Sequence, residues 1–252
     1  MNCGGAWELP ICFGVGGIVP PTIHFMRSCK SNKSSIRVTG VFALLLAVVF
    51  LGGCESFMPV AYTPGGRLYP APFFDTVVLD PGHGGHDSGA RSSKGHREKD
   101  IALDTSRRVA TMLRAAGLRV IETRTSDYFV SLDKRVSISN RQRNAIFVSI
   151  HYNWAKRSKA RGIETFFYGR TSSRLAANIQ KETLGAYRTE NRGIKYRGFY
   201  VLKNNRKPSV LLELGFMSNY SENKIIQSSL TRQRLAKAIV DGILAERAGR
   251  NP

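Results

Sequence analysis

The stretch TVVLDPGHGGHDSGA, residues 76–90, joins an apolar run to a crowd of polar side chains. Val77, Val78 and Leu79 are followed by Asp80, His83, His86 and Asp87, set among Pro81 and four glycines. A short β-branched run that is apolar at every position reads as a strand covered on both faces. The glycines after it let the backbone approach neighbours closely. Two imidazoles and two carboxylates held in such a loop make either a busy turn or one corner of a metal site.

Working outward, further strands are expected at Arg119–Glu122, Ile146–Ile150, Ile163–Tyr168, Phe199–Leu202 and Val210–Leu214. Between them, residues 99–116 place Ala102, Val109, Met112 and Leu113 at helical spacing and stop at Gly117. Other helices are expected at 132–143, 172–187 and 221–246. This alternation predicts an α/β fold, a single domain over 74–247 with a mostly parallel twisted sheet and helices on both faces.

Ligands of such open sheets bind beyond the carboxyl ends of the strands. Three ends carry chemistry: the first strand runs into Asp80 and His83, AIFVSIHYN places His151 after an apolar run, and SVLLELGFMSN places Glu213 inside one. A glutamate buried in a strand is costly without an ion or cation partner. A catalytic zinc takes three protein ligands from His and Asp/Glu and keeps one position open. His83 and His151 are the best nitrogen donors, and His86 and His96 are weaker ones among polar neighbours. For the carboxylate, GHREKDIALD offers Glu98 and Asp100 at a helix start, where either also suits the helix dipole. Glu213, near the metal but not bound to it, would take a proton from zinc-activated water and pass it to a departing nitrogen. Metal-assisted amide hydrolysis needs no serine or cysteine nucleophile. The four cysteines, Cys3, Cys12, Cys29 and Cys54, all precede the expected domain, so thiolate chemistry is excluded from it.

The segment around 27–54 reads as an address. Arg27, Lys30, Lys33 and Arg37 precede an apolar run from Val41 to Leu51, too short to span a bilayer, which ends in Leu51-Gly52-Gly53-Cys54. It resembles a bacterial lipoprotein signal over 26–53, with Cys54 as the lipidated residue. The resemblance implies a cell-envelope protein held to the membrane by that lipid and facing peptidoglycan on the periplasmic side. Residues 1–25 do not fit this plan, and Met26 is the expected true start. Residues 54–73, with four prolines, read as an extended tether.

VVLDPGHGGHDSGA, REKDIALD, FVSIHYN and NRGIK…FYVLKNNRKPSVLLELGFMSN together resemble the zinc-dependent N-acetylmuramoyl-L-alanine amidases, the Amidase_3 family, from about Thr76 to Glu246. The resemblance implies one zinc per chain, held by His83, Glu98 and His151, with Glu213 as catalytic base. The bond cleaved would join the lactyl group of N-acetylmuramic acid to L-alanine of the stem peptide. Tyr152, where many relatives have a small residue, is expected to alter the substrate groove. Division-associated relatives carry an inhibitory helix between the second zinc histidine and the next helix. That segment is short here, so activity without an activator protein is expected.

The chain holds 38 Lys and Arg against 18 Asp and Glu, a formal net charge of +20. Such an excess suits an acidic partner. No nucleic-acid-binding motif is present, and the carboxylates of stem peptides are the expected counterpart. Asn153, Arg192 and Lys195 are candidate substrate-binding residues, and Glu164 is a candidate neighbour of the site.

Overall fold

The computed structural model describes residues 60–62, 68–70 and 73–252, all within the unit Glu55–Pro252. The segments 1–25 and 26–53, with His24 and Cys54, lie outside the described residues. No helix among the described residues is long and apolar enough to cross a membrane. Within the expected tether, β1 (Val60–Tyr62) and β2 (Leu68–Pro70) pair antiparallel, so this part of 54–73 doubles back on itself.

The main sheet is built from β3 (Thr76–Pro81), β4 (Arg119–Glu122), β5 (Ala145–Asn153), β6 (Ile163–Phe167), β7 (Asn191–Tyr196) and β8 (Ser209–Phe216). Its order is β4-β3-β5-β8-β6-β7. The pairs β3–β4, β3–β5, β5–β8 and β6–β7 are parallel, and β6–β8 is antiparallel. The mostly parallel sheet is thus borne out. The chain leaves β3 for β4 on one side and returns to β5 on the other. That reversal opens a crevice at the carboxyl ends of β3 and β5.

Strand alternation sorts the core into two layers. Val77, Leu79, Ile146, Val148, Val210 and Leu212 face α1 (Glu98–Ala115), α3 (Ser173–Leu184) and α6 (Ser229–Arg247). Val78, Phe147, Phe166 and Leu211 face α2 (Leu132–Asn140) and the single turn α4 (Tyr200–Lys203). Each large aliphatic buried this way contributes on the order of 1.5–3 kcal/mol. The second layer is the shorter one, and it leaves the carboxyl ends of the strands uncovered on its side. In α1, Ala102, Val109 and Leu113 fall on the buried stripe. Its end is a Schellman turn: Gly117, at φ +77°, donates to the Arg114 carbonyl, and Leu118 donates to the Leu113 carbonyl.

Two elements differ from the sequence reading. Phe199–Leu202 was expected as a strand, but Phe199 caps α4, whose helical turn buries Val201 and Leu202 side by side. The sheet edge is instead β7, whose sequence NRGIKY is polar because only an exposed edge is required there. The helix expected over 221–246 breaks into α5 (Tyr220–Ile226) and α6. Arg232 satisfies the free end of α5 by donating to the carbonyls of Ile226 (3.2 Å) and Gln227 (2.6 Å).

Candidate active site

Alternation along β5 and β8 places His151 and Glu213 on the same face as Phe147 and Leu211, beyond the reach of α2 and α4. They are register partners, and Glu213 is also the partner of Glu164 in β6. One row across three strands therefore reads His151, Glu213, Glu164. His83 joins it from the loop after β3, and Glu98 from the first residue of α1.

Glu98 is 4% exposed and its carboxylate is fully engaged. Oε2 accepts from the backbone N–H of Ala90 (2.8 Å) and lies 3.0 Å from His83 Nε2. Oε1 accepts from the backbone N–H of Tyr152 (3.0 Å) and lies 2.8 Å from His151 Nδ1. Burial alone would raise its pKa, but the two histidines outweigh burial and hold the carboxyl below the usual range. Burial likewise opposes charge on His83, and Glu98 and Asp87 overcome it and raise its pKa. The ligand atoms of His83, Glu98 and His151 lie within 4.8 Å of one another. Asp100 instead pairs with Arg97 in the open, 46% exposed, which separates the two acids that the sequence left equivalent.

The loop of 82–90 now has a physical account. Asp87 Oδ2 lies 2.8 Å from His83 Nδ1 and fixes that ring, leaving Nε2 facing Glu98. Asp80 is no ligand: it is 1% exposed and bonded to Arg135 Nη1 (2.6 Å), Thr123 Oγ1 (2.6 Å) and Ser149 Oγ (2.8 Å). Burial raises its pKa, yet Arg135 and the two hydroxyls hold it below the ordinary value. His83 itself sits at φ +61°, a strained backbone for a non-glycine residue. Two buried arginines hold it there. Arg135 donates to the carbonyls of Pro81 (2.8 Å) and His83 (2.7 Å), and Arg124 to those of Pro81 (3.0 Å) and Gly82 (2.7 Å). Neither arginine was singled out from sequence.

Gly82 explains itself by what a side chain there would meet. A Cβ would lie 2.2 Å from His151 Cε1. Gly82→Ala is therefore expected to push the imidazole off Glu98 into the cleft, cutting metal affinity by roughly 10–100-fold without unfolding the protein. Competition against a chromophoric chelator measures this, and unchanged affinity would contradict the geometry.

The other candidates are divided. His86 packs on Phe129, with ring centroids 4.3 Å apart, and His96 Nδ1 faces Asn223 at 3.4 Å, so neither joins the triad. Asn153, Arg192 and Lys195 come together, but on Glu164. Asn153 Nδ2 donates to Oε1 (2.7 Å), Arg192 Nε to Oε2 (3.2 Å), and Lys195 Nζ pairs with the same oxygen. Tyr152 does not shape the groove with its side chain. As the next residue after His151 it turns to the opposite face, 1% exposed, and shares a 2.7 Å hydrogen bond with Thr105 in the core.

The row opens into a cleft of about 430 Å³, lined by His83, Glu98, His151, Asn153 and Glu213, with Trp154, Phe199 and Leu211 among its apolar surfaces. Glu213 is the anomaly. Its Oε2 is buried without any hydrogen-bond partner. Burial first, then the charges of Glu98 and Glu164, push its carboxyl well above the ordinary range. Such a group costs stability, and groups kept at that cost cluster at functional sites.

Two imidazole nitrogens and a carboxylate, converging on a solvent-reached cleft, fit the donor set of a catalytic zinc. Comparison with known proteins finds amidases. The family Amidase_3, N-acetylmuramoyl-L-alanine amidase, matches residues 77–245. YqiI of Bacillus subtilis (strain 168) is 41% identical over 172 residues, 67% of this chain and 82% of that one. The N-acetylmuramoyl-L-alanine amidase LytC of the same organism is 37% identical over 230 residues, covering 86% of this chain but only 46% of LytC. Among solved structures, the catalytic domain of the amidase CwlV from Bacillus (Paenibacillus) polymyxa var. colistinus superposes with a TM-score of 0.66 at 35% identity. That match covers 68% of this chain and 96% of CwlV's domain.

Proposed function

The chain belongs to the N-acetylmuramoyl-L-alanine amidase family Amidase_3, and from that premise we propose that it is a zinc-dependent peptidoglycan amidase. It hydrolyses the amide between the lactyl group of N-acetylmuramic acid and L-alanine of the stem peptide. The observation that carries the reading is Glu213, a buried carboxyl without a partner, beside His151 in the sheet and on the wall of the cleft that holds the triad.

His83, Glu98 and His151 hold the metal, and Asp87 and the backbone N–H groups of Ala90 and Tyr152 keep those ligands oriented. A bound zinc supplies Lewis acidity at the amide carbonyl and a positive charge that favours the ionised forms of water and of nearby carboxyls. Glu213 takes a proton from the attacking water. As the carbon–nitrogen bond breaks, it delivers that proton to the departing nitrogen of L-alanine. The apolar wall of Trp154, Phe199 and Leu211 limits competing water around the reacting bond.

Activity without an activator protein is part of the reading, because the histidines already reach solvent, with side chains 23% and 18% exposed. Envelope location, with a lipid on Cys54, rests on the Leu51-Gly52-Gly53-Cys54 pattern and on the wall polymer as substrate. Removing metal with a strong chelator should abolish release of peptide from purified cell walls, and about one equivalent of zinc should restore it. Full activity after chelation, with metal absent by elemental analysis, would sink the zinc assignment.

A further inference from the structure

Next to the metal-ligand triad the sheet carries a second charged cluster, centred on Glu164. This carboxylate is 4% exposed, and both of its oxygens are occupied. Asn153, on the cleft wall, holds Oε1, while Arg192 and Lys195 from the edge strand β7 share Oε2. Aromatic rings steady the two cations. The Arg192 guanidinium lies 5.0 Å from the Phe216 ring centre, and Lys195 Nζ lies 5.8 Å from that of Phe166.

The charges in this cluster do not cancel. One carboxylate balances one cation, so the cluster keeps a surplus positive charge, tied to the cleft through Asn153 on its wall. The side chains of Arg192 and Lys195 are also 33% and 37% exposed, so solvent reaches both side chains while each stays paired with the buried anchor. A cation pair fixed by a buried carboxylate and aromatic rings loses little freedom when it meets an anion.

We propose that Arg192 and Lys195, held in place by Glu164, form a receptor for a carboxylate on the peptide part of the substrate. Glu164 is a positioning residue: it touches no substrate and acts through the two cations. The receptor selects stem peptides whose carboxylates are free over those in which they are amidated. This inference rests on the amidase reading above.

The test uses two soluble muramyl-peptide substrates, one with free carboxylates and one with its carboxylates converted to amides. The purified protein's kcat/KM is measured on each by the release of new amino termini. The wild type is expected to favour the free acid by about tenfold, chiefly through KM. The double variant Arg192→Gln/Lys195→Gln should bring the ratio close to one. Glu164→Gln should lower it, and Glu164→Asp, which keeps the charge, should recover part of it. Because each variant is read as a ratio, a general loss of folded enzyme does not imitate the effect. Lys181→Gln and Lys237→Gln, on the helices covering the opposite face, carry the same charge change per site and should keep the wild-type ratio. Equal rates on both substrates from the wild type would overturn the receptor and leave the amidase reading standing. Release from neither substrate would overturn the amidase reading and the receptor with it.

Discussion

Replacing Glu213 by glutamine is expected to slow peptide release by about 10²–10⁴-fold, the span that a positioned general base contributes. The loss should fall on kcat, because glutamine keeps the size and shape of the side chain and removes only its ability to carry a proton. Metal binding should persist, since His83, Glu98 and His151 keep all their partners. Stability should hold or rise. The native carboxyl has an unbonded, buried oxygen and lies between the charges of Glu98 and Glu164, so the fold gives up stability to keep it. Melting temperature and zinc content measured with the rate separate this outcome from simple unfolding. A variant with near-normal rate and intact zinc would remove Glu213 from the reaction.

The second large effect is on folding. Asp80→Asn leaves the buried Arg135 without its counter-charge, and breaking a buried pair costs roughly 3–5 kcal/mol. In a domain of this size that lowers the melting temperature by about 6–20 °C. The pH dependence has a definite sign. Asp80 has a folded pKa below its unfolded one, so its contribution is complete above about pH 4 and is lost as pH falls through the folded value. The stability gap between wild type and Asp80→Asn, measured by urea unfolding, should therefore be constant near neutrality and narrow only in acid. A gap below about 1 kcal/mol at pH 7 would mean that Arg135 finds equal support from the carbonyls of Val130, Pro81 and His83. The same variant should weaken metal binding, because Arg135 joins Asp80 to the strained backbone of His83.

What the sequence made legible follows from where the residues fall. His83, His151 and Glu213 could be read because each interrupts or ends a short apolar run, and the topology of an α/β sheet gathers such ends. Glu98 could not be told from Asp100 by spacing alone, since a helix start favours both. The backbone N–H groups that decide the matter come from Ala90, in the loop before the helix, and from Tyr152, 54 residues away in the chain, and helix spacing shows neither. Arg124 and Arg135 were invisible among so many basic residues, because nothing local marks an arginine as buried. The edge strand β7 was missed for a related reason, as its polar, half-exposed sequence carries little of the apolar signal used for inner strands. Tyr152 was misjudged although the signal was present. Period-two alternation sends it to the face opposite His151 once His151 is placed in the cleft.

The most direct measurement is mass spectrometry of the products released from purified peptidoglycan by the protein. Expected are peptides that begin with a free L-alanine amino group, together with glycan chains whose lactyl groups end in free carboxylates. Peptides cut at any internal bond, or sugars released by cleavage within the glycan, would contradict the assigned reaction.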